Sequence, residues 1–461
     1  MEDTMSMPEN NASKNKMMNF FRSHRLLFGI ILGSFLISLA YSFYFQITPA
    51  VDARAYDVIA MNIAQGYGYR ENLSMDIVND YAIARVGPVY EYFLAGIYTV
   101  FGHRYEAVWV IQALLRGLTV WLVYLIVLLI FSEDDRKKQI GLWSAGIIAF
   151  YPDLIEISAM LMIETLYLFL LCLMLYLFFL FIKRPGNWLA VALGGITGLA
   201  ILTRPLALFL VPVFLFHLWR KKMWWSAILL LFVLSMVFVP WTWRNYQVYG
   251  QLMPFGAAGN FNFWIGNYHG GNGEQVPTEE HIEFAAKNGV GQINGESMKQ
   301  FKTFLREYPG EFLKLTVLRV NKYFSVVRPM GFWFYQKGLG QFLFLLSSAA
   351  ASVFLFILAL GGILKTIMTK DKRLYYLLAL TIATPLVVFI TVVETRYRFP
   401  IYPLLAVFAG YFMVSLLGNP KRWFEKSLWF SLTLILSNGI IDLFLNVDLV
   451  RERLGVFLKL F

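Results

Sequence analysis

Long apolar blocks separated by short links constrain this chain more than any other feature of its sequence. Stretches such as 25–46, 160–182 and 339–364 are almost unbroken runs of apolar residues. Each has the roughly 20 residues that a helix needs to cross a hydrocarbon core of about 30 Å. Composition agrees: 58% of residues are hydrophobic and 15% charged, against about 45–50% and about 25% in soluble domains. A water-soluble globular enzyme is excluded. The one cysteine, Cys172, leaves no disulfide framework and no Cys-based zinc site.

Candidate spans fall at about 25–46, 106–131, 139–158, 160–182, 187–203, 206–219, 223–243, 339–364, 374–393, 400–418 and 428–447. The expected fold class is therefore an all-α polytopic membrane protein with about 11 transmembrane helices (11–13). Basic residues fix the expected orientation. With a polar tail (1–24) inside, Lys14, Lys16, Arg22 and Arg25, then Arg136–Lys138, Lys183–Arg184, Arg220–Lys222, Lys365–Arg373 and Lys421–Lys426 all fall on the cytoplasmic side. The excess positive charge thus reads as topology, and nucleic acid is not an expected partner. Residues 88–101 are apolar but too short to cross, and Tyr90, Glu91 and Tyr92 suit a helix lying at the outer interface. Two long extracytoplasmic loops follow, 47–105 and 244–338, the second with amphipathic stretches at 298–307 and 309–324. A transmembrane domain over 25–447 and a short C-terminal segment, 448–461, complete the layout.

Ionisable residues beside hydrocarbon cost several kcal/mol unless paired or hydrated, so their placement points to function. Asp52, Asp57 and Arg85 follow the first span. Asp153, Glu156 and Glu164 lie around the turn between the third and fourth spans, Arg204 in the next outer turn, Arg244 at the end of the seventh span, and Glu394, Arg396 and Arg398 before Pro400. The arms flanking Arg204 reach only about 25 Å and about 21 Å, short of the core. The Thr203-Arg204-Pro205 turn is therefore expected below the outer surface, beside protein or a wet cavity. Arginines match phosphate oxygens with a bidentate fork, and a carboxylate can take or orient an acceptor's proton. Together they suit group transfer from a lipid phosphate on the outer face.

Read in order, "DARAYDVIAMNIAQGYGY" (52–69), "RVGPVYEYFLAGIYTVFG" (85–102), "YPDLIEISAMLMIETLYLFLL" (151–171), "GLAILTRPLALFLVP" (198–212), "VPWTWRNYQVYGQL" (239–252), "FNFWIGN" (261–267) and "ETRYRFPIYP" (394–403) resemble the bacterial glycosyltransferase family 39-like membrane proteins. These are relatives of the protein mannosyltransferases and aminoarabinose transferases with the C-type glycosyltransferase (GT-C) fold. The resemblance covers about 25–405. It implies a polyprenyl-phosphate-linked sugar donor, transfer that generally inverts the anomeric centre, and a lipid, glycan or protein acceptor in the cell envelope. The setting it implies is a plasma (inner) membrane, among membrane lipids, with the N-terminus cytoplasmic. It further implies Asp52 as the catalytic acid of the first loop and Arg85 as a phosphate contact, with Arg204 and Arg244 as further phosphate-binding candidates. Tyr56, Glu164, Arg396 and Arg398 line the site or support it. Many members carry two adjacent acids where this chain has Asp52-Ala53, which leaves Asp57 as either a second acid or a structural residue.

Plainer readings stand beside these. Glu164 could form a buried bridge with Arg116, and Glu394, Arg396 and Arg398 could lock a turn. The five His residues show no metal-ligand spacing, so no metal site is expected from the motifs, although a divalent ion stays open as a cofactor. His217 reads as an interface residue, "YHGGNG" (268–273) as a flexible turn, and Trp241, Trp243 and Trp264 as interface-belt residues. The alternative function is a transporter or flippase of lipid-linked sugars. Against it stand the absence of internal repeats and the gathering of carboxylates at the outer interface.

Overall fold

The computed structural model describes residues 9–455 except 86, 257, 288–289, 327–337, 420–424, 449 and 452–454. In chain order the α-helices are α1 (Glu9–Phe45), α2 (Asp52–Ala64), α3 (Pro88–Phe101), α4 (Tyr105–Ile130), α5 (Lys137–Ala149), α6 (Pro152–Ser158), α7 (Glu164–Lys183), α8 (Asn187–Thr203), α9 (Val211–Arg220) and α10 (Trp224–Tyr249). There follow α11 (Ala258–Ile265), α12 (Glu279–Lys287), α13 (Val290–Glu307), α14 (Pro309–Tyr323), α15 (Gly338–Thr369), α16 (Tyr375–Ala383), α17 (Leu386–Ile390), α18 (Tyr402–Leu417) and α19 (Lys426–Leu445). Among the described residues there is no strand, only an isolated bridge between Glu274 and Val393.

Among the described residues eight segments are long and apolar enough to cross a bilayer, making a multi-pass membrane protein. The bent pair of α5 and α6, turned by 55° at Pro152, would make nine. The short apolar pieces Asn187–Thr203 and Pro205–Arg220 do not reach spanning length, so the expected count of eleven is not established. α18 is the most enclosed, with 89% of its apolar window buried, and packs on α15 and α5. Gly410 makes this possible: a Cβ there would lie 2.8 Å from the Ile140 carbonyl oxygen of α5, the close backbone approach that small residues permit between membrane helices. α10 and α19, only 17% buried over theirs, are peripheral.

The structure adds detail to one feature of the sequence reading and corrects two. α1 begins at Glu9, so the expected tail is helical from there; residues 1–8, Lys421, Arg422 and most of 448–461 lie outside the described residues. α10 continues to Tyr249, which puts Arg244 inside a helix. α3 does form over 88–101, but Tyr90 and Glu91 face protein rather than an interface, Tyr90 against Tyr56 of α2 and Gln112 of α4 and Glu91 against Tyr69. Burial pushes the Glu91 pKa up to about 8, despite a 3.0 Å hydrogen bond donated by Tyr69. Glu91 is therefore neutral at pH 7, the form that burial favours.

Helix breaks position the site. α6 ends at Ser158 and α7 opens at Glu164, α8 ends at Thr203 with Arg204-Pro205 leading into a 3-10 turn, and α17 ends at Ile390 before an extended stretch and the turn Thr395–Ile401. At the second break Pro205 directly follows Arg204, and its missing N–H and fixed φ end α8 there. The loop helices α13 and α14 divide at Tyr308-Pro309, where the sequence places the break.

Candidate active site

The first loop starts with a backbone feature that aims its acid. Val51 has φ +51°, an unusual conformation for a β-branched residue, and the chain turns there directly into α2. Asp52 opens that helix. Its Oδ2 accepts a 2.7 Å hydrogen bond from Arg396 Nη2, and its Oδ1 lies 3.6 Å from Arg85 Nη1. Burial acts to raise the Asp52 pKa, but Arg396 and then Arg85 and Arg204 outweigh it, and the net effect is a pKa below the ordinary aspartate value. Asp52 is a carboxylate at neutral pH.

The arginines extend this contact into a chain of alternating charge. Arg85 donates to Glu71 through Nε (2.9 Å) and Nη2 (2.6 Å). Arg396 donates to Glu394 at 2.8 Å and lies 3.8 Å from Glu164. Glu164 accepts from Arg204 Nη2 at 2.9 Å, and the Arg204 guanidinium stands 4.9 Å over the Tyr397 ring. Burial raises the Glu394 pKa, opposed by Arg396. Arg204 is 3% exposed, and its Nη1 has no hydrogen-bond partner among the described residues. A buried unsatisfied guanidinium nitrogen is costly and marks a place for an anion or another acceptor.

Arg85, Arg204 and Tyr397 line a cavity of about 310 Å³, within the usual range for small-molecule sites. Its other walls are apolar, including Leu208, Phe209, Val387 and Val388, and amide-bearing, from Asn260, Asn262 and Asn294. Gly87 fixes one edge, since a Cβ there would lie 1.9 Å from the Leu202 carbonyl oxygen. The segment after Arg85 thus packs directly on the end of α8 that carries Arg204.

Three other expected site residues, Asp57, Arg244 and Arg398, lie elsewhere, whereas Tyr56 sits within electrostatic reach of Asp52, Arg396 and Glu164. Asp57 accepts from Tyr98 Oη (2.6 Å) and Tyr105 Oη (2.8 Å) and lies 2.8 Å from His103 Nε2; it anchors α2 to α3 and the start of α4. Tyr56 is buried edge-on against Tyr90, with centroids 5.5 Å apart. Arg244 does not line the cavity. It donates to the Tyr69 carbonyl at 3.0 Å and to Asn245 at 3.0 Å, amid Tyr69, Trp241 and Tyr249; being within α10, it has a helical neighbourhood that the reading of it as a span terminus missed. Arg398 is also apart, donating to the Ser325 carbonyl at 2.6 Å with Asp153 at 3.9 Å.

The Glu164–Arg116 bridge does not form: Arg204 and Arg396 hold Glu164, and Arg116 donates to the Ala149 carbonyl. His217 is buried against Tyr376 at 2.9 Å, and Trp241 and Trp264 are buried rather than in a belt. The glycine turn is stitched in place by a 3.0 Å bond from Val393 N–H to the Gly273 carbonyl. Glu71 and the pairing role of Glu394 escaped the sequence reading, because no local spacing links Glu71 to Arg85 or residue 394 to residue 52. Among the described residues no group of three or more His, Cys, Asp or Glu could hold a metal ion, and Asp52, Glu164 and Glu394 each have an arginine partner. This donor set does not fit a divalent cation.

Residues 85–243 match the family model for dolichyl-phosphate-mannose-protein mannosyltransferases. The Archaeoglobus fulgidus oligosaccharyltransferase, in complex with Zn and sulfate, superposes at TM-score 0.53 with 16% identity over 90% of this chain and 52% of its own. This chain has the GT-C fold. Archaeal AglB from the same organism, in complex with an inhibitory peptide and a dolichol-phosphate, gives TM-score 0.51 with 13% identity over 93% of this chain and 55% of its own. ArnT from Cupriavidus metallidurans, bound to undecaprenyl phosphate, gives 0.46 with 15% identity over 85% and 60%. No curated protein matches the chain. The GT-C chain described here thus spans about half the length of the oligosaccharyltransferases it resembles. The resemblance read from the motifs holds, and its family-model match runs over 85–243 rather than 25–405. That stretch of the GT-C fold contains Arg85, Glu164 and Arg204; Asp52 and Arg396 lie outside it.

Proposed function

We propose that the chain is an integral membrane glycosyltransferase that moves a sugar from a polyprenyl-phosphate donor to an acceptor on the extracytoplasmic face, inverting the anomeric centre. One observation carries this reading: an ionised Asp52 held by Arg396 and Arg85, where Arg85 and Arg204 also line a cavity with apolar walls. Two cations, an apolar groove and a carboxylate suit a lipid phosphate bearing a reactive sugar. The dolichol-phosphate in the AglB complex supports a lipid-linked ligand for this fold, the basic-residue pattern supports an extracytoplasmic site with the N-terminus inside, and the motif resemblance supports a plasma membrane.

In this reading the donor phosphate meets Arg85 and the unpartnered Arg204 Nη1, with the prenyl chain along Leu208, Phe209, Val387 and Val388. The acceptor hydroxyl or amine attacks the anomeric carbon from the side opposite the phosphate. As the new bond forms, the bond from the anomeric carbon to the phosphate oxygen breaks. The polyprenyl phosphate leaves with the bonding electrons, and the arginines stabilise its growing charge. Asp52 accepts the proton that the acceptor sheds. Glu164 and Glu394 hold Arg204 and Arg396 in place and do not touch the reacting atoms.

The test is transfer of label from polyprenyl-phosphate hexoses and pentoses to membrane lipid, glycan or protein extracts by the purified chain in proteoliposomes. Label transfer is expected. Movement of the intact lipid-linked sugar across the bilayer without transfer would favour a flippase and overturn the proposal.

A further inference from the structure

The cavity has a third wall that neither the arginines nor the apolar groove explains. Asn260 and Asn262 on α11 and Asn294 on α13 line it, and two of them are tied together. The Asn260 backbone N–H donates to Asn294 Oδ1 at 3.3 Å, and Asn260 Nδ2 donates to the Asn294 carbonyl at 3.0 Å. That arrangement uses one polar atom of each side chain and leaves the Asn260 Oδ1 and Asn294 Nδ2 without another hydrogen bond among the described residues. Asn262 makes no side-chain hydrogen bond among them. The wall therefore offers both acceptors and donors, all neutral.

α11 is also strapped to the site on both sides. Before it, a Cβ on Gly256 would lie 2.5 Å from the Arg85 carbonyl oxygen; after it, a Cβ on Gly266 would lie 1.9 Å from the Thr391 carbonyl oxygen. Arg319 adds to the second strap by donating to the Gly266 and Thr391 carbonyls at 2.8 and 2.9 Å. The amides are thereby held at fixed positions relative to Arg85 and to the cavity wall at Thr391, as a recognition site requires.

We infer that Asn260, Asn262 and Asn294 form the subsite that recognises the donor's sugar, and that this sugar is an uncharged polyhydroxy ring. The inference rests on the proposed function, since it takes the arginine end of the cavity for the phosphate. Sugar hydroxyls donate and accept, and side-chain amides answer both. The charged residues lining the cavity are Arg85 and Arg204, and Asp52, the carboxylate beside them, is already paired with Arg396 and Arg85, so an amino sugar would face two cations with no unpaired carboxylate. A carboxylated sugar would compete with its own phosphate for the same two arginines. Sites built to hydrogen-bond a substrate group discriminate strongly against analogues that leave those bonds unmade.

The experiment measures binding to the full chain in detergent with a fluorescent polyprenyl phosphate that carries no sugar. Unlabelled polyprenyl-phosphate hexose, aminopentose and uronic acid serve as competitors. The wild type should bind the hexosyl lipid more tightly than the bare lipid and the two charged sugars less well. Asn262→Ala should weaken the hexosyl lipid by roughly 3- to 10-fold, one neutral hydrogen bond, with the bare lipid unchanged; that unchanged affinity also reports a folded protein. Asn262→Asp should shift preference toward the aminopentosyl lipid. If Asn262→Ala leaves the hexosyl advantage intact, or weakens both lipids in parallel, the subsite is overturned while the phosphate site stands. If the wild type fails to bind even bare polyprenyl phosphate, the proposed function fails and this inference with it.

Discussion

Gly87→Ala offers a demanding test of how the site is held together. Gly87 has an extended backbone (φ 179°) that any residue adopts, so the substitution carries no conformational penalty of its own. Its cost is contact. The added Cβ would sit 1.9 Å from the Leu202 carbonyl oxygen and 3.0 Å from the Leu202 carbonyl carbon. Since carbon and carbonyl oxygen approach to about 3.3 Å at closest, the two backbones must part by about 1.4 Å. Gly87 is two residues after Arg85, and Leu202 two before Arg204, so that movement falls on one of the two arginines of the cavity. Overpacking of this kind costs about 1–3 kcal/mol, and a misplacement near 1 Å costs about 100-fold in rate. Thermal unfolding in detergent and transfer kinetics below the variant's melting temperature measure the two effects separately. Gly96→Ala is the control: it lies within α3, the helix that Gly87 precedes, a Cβ there meets nothing within 4 Å, and it should be neutral or stabilising by up to about 1 kcal/mol. A Gly87→Ala protein with wild-type stability and rate would refute the packing argument, and one that is unstable but fully active would refute its link to the arginines.

Further outcomes follow from the charge chain and its surroundings. Because Asp52 works as a carboxylate with a depressed pKa, kcat/KM should fall only as pH drops through a value below the ordinary aspartate 3.8; in Arg396→Gln, with burial less opposed, that acid limb should move upward, and an unmoved limb would contradict the pairing. Asp57→Asn should lower stability by about 2 kcal/mol, the loss of charge-assisted bonds from Tyr98 and Tyr105, while leaving the acid limb where it is. A displaced limb would return Asp57 to the reacting centre. Arg319→Met strips donors from the Phe389, Gly266 and Thr391 carbonyls and should destabilise the chain by about 3 kcal/mol or more in thermal unfolding; an unchanged melting temperature would show that the loop is held by other contacts.

What the sequence made legible follows from range. Apolar blocks are local, and they located the helices, including the break at Tyr308-Pro309 and the shortness of the arms around Arg204. Asp52, Arg85, Glu164, Arg204 and Arg396 stood out because charge beside hydrocarbon demands a reason. Their partners did not. Asp52 meets Arg396 across 344 residues, and Glu164 has Arg204 and Arg396 as cations within reach where the spacing suggested Arg116. Arg244 was misplaced because the apolar pattern fades near 243 while the helix runs on to Tyr249. The amide wall was invisible, since asparagines in a polar loop carry no signal until folding brings α11 and α13 beside the arginines.

Replacement of Asp52 by Asn tests the central claim most directly. Asparagine keeps the size and one acceptor oxygen but cannot take a proton, so donor binding, read with polyprenyl phosphate, should persist. Single-turnover sugar transfer should fall by about 10²–10⁴-fold, the usual contribution of a positioned acid or base. Transfer at the wild-type rate in a folded, donor-binding Asp52→Asn protein would contradict the account.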